Sequence, residues 1–118
     1  MPSKDPRTRF EDILENIARI ETHLVGFDRD AFLDDPKTYD AVERCLERAC
    51  EASRALGALA EELCPEIPWD QIRGLGNVLR HEYDRIDGYR IWDIVEFQLH
   101  PLKTAVTRAL AELGEEPE

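Results

Sequence analysis

The sequence predicts an all-α protein, a four-to-five-helix antiparallel up-and-down bundle, and three observations predict it. Apolar residues recur at three- and four-residue steps along most of the chain. No stretch keeps the two-residue alternation of a half-buried strand, and no internal repeat of about 20 to 50 residues is present. Proline and glycine fall where the helical patterns pause, leaving short connectors of the kind that join neighbouring helices of a bundle.

The first helix is expected from Asp5-Pro6, since aspartate accepts free amide hydrogens at a helix start and proline tolerates the first helical position. Phe10, Ile13, Leu14, Ile17, Ile20 and Leu24 line one face, and Gly26 marks the stop. Residues 27 to 34 read as a short turn of helix or an ordered connector. Asp35-Pro36 opens a second helix, whose apolar stripe from Tyr39 to Leu63 predicts about seven turns without interruption. Pro65 and Pro68 break the chain, and a third helix starts at Pro68-Trp69-Asp70 with Ile72, Leu75 and Leu79 facing the core. After Asp87-Gly88 a fourth helix runs from about Tyr89 to Leu113, with a kink expected after Leu99 because Pro101 removes a hydrogen bond.

The 118 residues fit one domain spanning 1–118, with an acidic tail from about residue 114 expected to fray. No apolar run is long enough to span a bilayer and the amino terminus lacks a signal-peptide core, so no membrane is involved and a cytoplasmic location is expected. Cys45, Cys50 and Cys64 are odd in number and lack Cys-x-x-Cys spacing, which argues against a disulfide framework or a zinc site. Cys45 lies on the apolar stripe, as a small buried hydrophobe would.

A net charge of −11 excludes a general nucleic-acid-coating protein, whose phosphate affinity needs clustered cations. The charge is uneven, however. The window from Arg73 to Arg90 has a balance of +1 while the rest of the chain carries −12, so any anion site belongs in that window. On a helical wheel Arg73, Asn77, Arg80, His81 and Asp84 fall within an arc of roughly 100°, with Tyr83 at its border. Such a face can hold a phosphate through guanidinium donors and move a proton through imidazole near neutral pH. RNA brings its own nucleophile, the 2′-hydroxyl, so cleavage needs only positioning, charge and acid–base help, with no metal or cofactor. From these residues alone the face is either a solvated helix surface or an anion site. Gly74 and Gly76 each cost a helix about 1 kcal/mol relative to alanine, a cost that close approach of another helix would explain. If that helix belongs to a second subunit, two copies of the Arg–His face meet in a homodimer. His23 and His100 read as surface residues, and Trp69 and Trp92 as core anchors.

Residues 67 to 87, from Ile-Pro-Trp-Asp through Gly-Asn-Val-Leu-Arg-His-Glu-Tyr to Ile-Asp, resemble the signature stretch of the HepT-like family of the HEPN superfamily, as do Trp92 and the Leu99-x-Pro101-Leu102 element downstream. The resemblance implies a HEPN-like bundle, a homodimer, and an endoribonuclease toxin in which an arginine and a histidine from each subunit meet in a cleft. It also implies a small nucleotidyltransferase antitoxin as partner, able to attach AMP to the tyrosine of the His-x-Tyr element, here Tyr83. His81 and Asn77 match the family pattern. The arginine that usually precedes the asparagine does not, because that position is Gly76. Arg80 is the preferred substitute, one turn later and beside His81, with Arg73 the other. The expected function is metal-independent RNA cleavage by Arg80, Arg73, His81 and Asn77. The alternative is a catalytically silent HEPN module that binds a nucleotidyltransferase partner or a nucleotide, and the blandest is a helical adaptor using its acidic surface.

Overall fold

A computed structural model describes residues 5–81 and 87–114, and these form seven helical segments and no strand. The all-α expectation therefore holds. The helices are α1 (Pro6–His23), α2 (Arg29–Leu33), α3 (Pro36–Leu56), α4 (Ala58–Leu63), α5 (Trp69–His81), α6 (Gly88–Phe97) and α7 (Leu99–Leu113). They exceed the predicted number because two of the long predicted helices are each divided in two and the first connector is itself helical.

Helix α1 starts as its sequence demands. The Asp5 side chain accepts from the Arg7 amide at 3.0 Å and Pro6 takes the first helical position. Phe10, Ile13, Ile17 and Ile20 are fully buried, each contributing about 1.5 to 3 kcal/mol of apolar burial, and they face α3 and α7. Asp28 caps α2 through the Ala31 amide at 2.9 Å, and α2 buries Phe32 between Tyr39 and Trp92 at ring separations of 5.6 and 5.5 Å. The short connector is thus pinned by one aromatic side chain. At the start of α3, Asp35 makes no cap to the backbone; its carboxylate accepts from the Thr38 hydroxyl at 2.7 Å instead.

The second predicted helix is broken where an uninterrupted run was expected. Gly57 adopts φ 59° and ψ −145°, a left-handed conformation that a side chain disfavours, and α4 starts directly after it. Apolar periodicity continues across the break, which is why the pattern concealed it. The predicted kink near Pro101 is a break between α6 and α7 at Gln98. Pro101 then lies in the first turn of α7, where its missing N–H leaves no unmade helical bond.

Trp69 seats the start of α5. It is 1% exposed, and its indole N–H donates to the Cys64 carbonyl at 2.9 Å. Helix α5 lies on α3, with Leu75 buried and Ile72 and Leu79 half-buried, as predicted. Cys45, Cys50 and Cys64 are all buried free thiols, and Trp92 packs against the core while His23 and His100 are exposed. Among the described residues no helix is long and apolar enough to cross a membrane. Tyr83, Asp84 and the acidic tail beyond Gly114 lie outside the described residues.

Candidate active site

The predicted polar face of α5 divides into two parts. At the amino-terminal part, Arg73 reaches back to α4. Its two Nη atoms donate to the Glu61 carboxylate at 2.7 and 3.0 Å, and Nη2 also donates to the Gly57 carbonyl at 2.9 Å. A longer 3.4 Å bond joins Nη1 to Asp70. The paired donation to a carboxylate is the strongest geometry open to a guanidinium. It pushes the Arg73 pKa further up and holds the Glu61 carboxyl below its usual range, in both cases chiefly through their mutual hydrogen bond. The left-handed turn at Gly57 builds this socket, since it presents a carbonyl and starts the helix that carries Glu61.

At the carboxy-terminal end of α5, Arg80, Asn77 and His81 join in one cluster, as the wheel implied. Arg80 Nη2 donates to Asn77 Oδ1 at 3.3 Å and Nε donates to His81 Nε2 at 3.2 Å. Asn77 and His81 are exposed, and the Arg80 side chain is 29% exposed. A fourth member was not foreseen: Glu51 of α3 accepts from Arg80 Nη1 at 2.6 Å. No local pattern marks it, because it lies 29 residues away in the chain. Cations at a helix carboxy terminus also suit the helix dipole. The arrangement offers a guanidinium, an amide and an imidazole on one open surface, and among the described residues no group of three or more metal-ligating side chains occurs.

The two glycines behave differently. A Cβ on Gly76 would lie 2.6 Å from the Cys50 Cβ, so the close approach that explains this glycine is to α3 of the same chain. Cys50 is sealed there, its thiol pushed up to about 12 first by burial and then by Glu47 and Glu51. Gly74 faces open space, with nothing within 4 Å of where a Cβ would stand. A groove of about 510 Å³ lies on the opposite, apolar side of α5 among Leu46, Cys50, Ile72, Leu75, Ile94 and Phe97. Arg80 and His81 do not line it.

The model of the Ribonuclease HepT-like family matches residues 13–109. The chain belongs to the HepT-like ribonuclease family. Among its similar relatives are two candidate RNases of Methanocaldococcus jannaschii. One is 32% identical over 106 residues, covering 90% of this chain and 97% of the relative. The other is 40% identical over 95 residues, covering 80% of this chain and 78% of the relative. A protein of Thermococcus cleftensis named as a probable ribonuclease HepT is 37% identical over 93 residues, covering 79% and 84% of the two chains. No solved structure matches the chain. The HepT-like match includes the whole of α5, and so the Arg80, Asn77 and His81 cluster.

Proposed function

We propose that this HepT-like chain is a metal-independent endoribonuclease toxin whose reacting groups are Arg80 and His81, with Asn77 beside them. The observation that carries the reading is the cluster itself: a guanidinium bonded at once to the imidazole and the amide on an open surface. Among the described residues three of the five guanidinium hydrogens are used, on Asn77, His81 and Glu51, which leaves one on each Nη for a phosphate oxygen. The RNA 2′-hydroxyl attacks the adjacent phosphorus, Arg80 offsets the charge that develops on the phosphoryl oxygens, and His81 moves the proton. Asn77 orients Arg80. Arg73 holds α4 and α5 together and stands outside this group.

Two such clusters, brought together by pairing of two copies, would form one RNA-binding cleft in a HEPN-like homodimer. Gly74 supports this, because it is exposed and one turn from Asn77 on the same helix. The resemblance of the His-x-Tyr element further supports a nucleotidyltransferase antitoxin as partner, with Tyr83 as its AMP acceptor.

The test is cleavage of a defined RNA by purified protein. The wild type should yield fragments with 2′,3′-cyclic phosphate and 5′-hydroxyl ends, and His81→Ala should lower the rate by about 10² to 10⁴-fold. RNA left intact by folded wild type, with wild type and His81→Ala equally harmless on expression, overturns the reading. That result would favour a silent HEPN module that binds its partner through the same surface, an alternative supported by Gly76 standing where the family arginine usually is.

A further inference from the structure

Arg80 is not held by its own helix alone. It is the middle of a chain of contacts that starts at the Glu51 carboxylate on α3, passes through the guanidinium, and ends at the imidazole of His81. The direction of donation along that chain is set by chemistry. A guanidinium has hydrogens to give and no site to accept one, so His81 Nε2 must be the accepting, unprotonated nitrogen. A neutral ring then carries its proton on Nδ1.

We infer that Glu51 is a positioning residue that holds Arg80 over His81 and so selects the Nδ1–H tautomer of the imidazole. The inference rests on the reading of Arg80 and His81 as reacting groups, and it adds a residue from a different helix to them. Neighbours in sequence point about 100° apart on a helix, so adjacency alone does not fold the Arg80 side chain back over His81. Asn77 holds the guanidinium from within α5 and Glu51 anchors it from α3. Glu51 reaches Arg80 because α3 and α5 approach closely at Gly76, whose Cβ position is 2.6 Å from that of Cys50, the residue next to Glu51. Gly76 and Arg80 are one turn apart, on the same side of α5. The glycine that replaces the usual family arginine is thus what lets an α3 carboxylate capture the arginine one turn later. In this tautomer Nε2 carries the lone pair that takes the 2′-hydroxyl proton once Arg80 turns its donors to the bound phosphate, and Nδ1–H serves as a hydrogen-bond donor.

The experiment is a long-range ¹H–¹⁵N spectrum of histidine-labelled protein at about pH 8, where imidazole is neutral, with the His81 signals assigned from a His81→Asn sample. Wild type should show the Nδ1–H pattern. Glu51→Ala should convert His81 to mainly the Nε2–H form, and Glu51→Asp should restore part of the wild-type pattern. In RNA cleavage, Glu51→Ala should lower kcat by roughly 10- to 100-fold, as loss of a histidine-orienting partner does, with KM changed less than about threefold. An Nε2–H wild type, or an unchanged tautomer in Glu51→Ala, overturns the inference. The spectrum is read without substrate, so a chain that fails to cut RNA would sink the ribonuclease reading while leaving the tautomer result intact.

Discussion

Arg73 and Arg80 occupy the same helix seven residues apart, equivalent on a wheel, yet they belong to different machinery. Arg73 spends its short bonds on the Glu61 carboxylate and the Gly57 carbonyl of the α4 segment, with a longer one to Asp70, and its side chain is 22% exposed. Arg80 divides its bonds, among the described residues, over three side chains, two on its own helix and one on α3. The difference teaches that shared residue type and shared face do not make a shared site. What each guanidinium meets on the neighbouring helix decides its role, and those partners come from segments remote in sequence.

Replacing each arginine in turn should break the comparison most visibly. Arg80→Ala should reduce RNA cleavage by about 10² to 10³-fold, the usual scale for losing a donor aimed at developing charge. Arg73→Ala should keep the rate within about threefold. Equal losses measured under the same conditions would place both arginines in one site. The stability readout should run the other way. Arg73→Ala should cost about 1 kcal/mol in urea unfolding, through lost hydrogen bonds to Glu61 and Gly57, while Arg80→Ala should cost less.

A larger stability effect is expected at the helix contact that brings Glu51 to Arg80. Gly76→Ala would place a methyl group 2.6 Å from the Cys50 Cβ, and overpacking of this kind costs about 1 to 3 kcal/mol. Denaturant midpoints should show the loss, and Cys50→Gly in the same chain should recover part of it. By contrast Gly74→Ala, with open space around it in the single chain, should leave the stability of that chain's fold unchanged or raise it by up to about 1 kcal/mol, while weakening the pairing of two copies.

The smallest effect concerns acid. Glu61 is held below its ordinary value of 4.5 by Arg73, so its folded pKa lies under its unfolded one. Its stabilisation is therefore complete above the unfolded pKa and is lost as pH falls through the folded value. Glu66, held down in the same way by Arg108, should follow the same course. A stability gap between wild type and Glu61→Gln should be present at pH 7 and narrow as pH falls below 4.5 in paired urea titrations.

Much of this was legible from residue order. The apolar steps in α1, α3, α5 and α7, the Asp5-Pro6 start and the punctuation at Pro65, Pro68 and Asp87-Gly88 all correspond to elements of the fold. So was the pairing of Arg80 with Asn77, because residues three apart on one helix are neighbours whatever surrounds them, whereas the bond from Arg80 to the adjacent His81 was not. The break at Gly57 was hidden because apolar spacing survives a single left-handed residue, and the division of the arginines was hidden because a wheel places every polar side chain in one plane.

Periodicity and local chemistry by themselves determined that this protein is helical, where its helices begin, and which turn of which helix carries an imidazole beside a guanidinium. Only the packing of α3 and α4 against α5 decided that Arg73 is a brace, that Gly76 is the point of contact between helices, and that Glu51 reaches Arg80. Local spacing is dictated by backbone geometry within a few residues, whereas those partners are brought together by burial of a common core, which no short stretch of chain encodes.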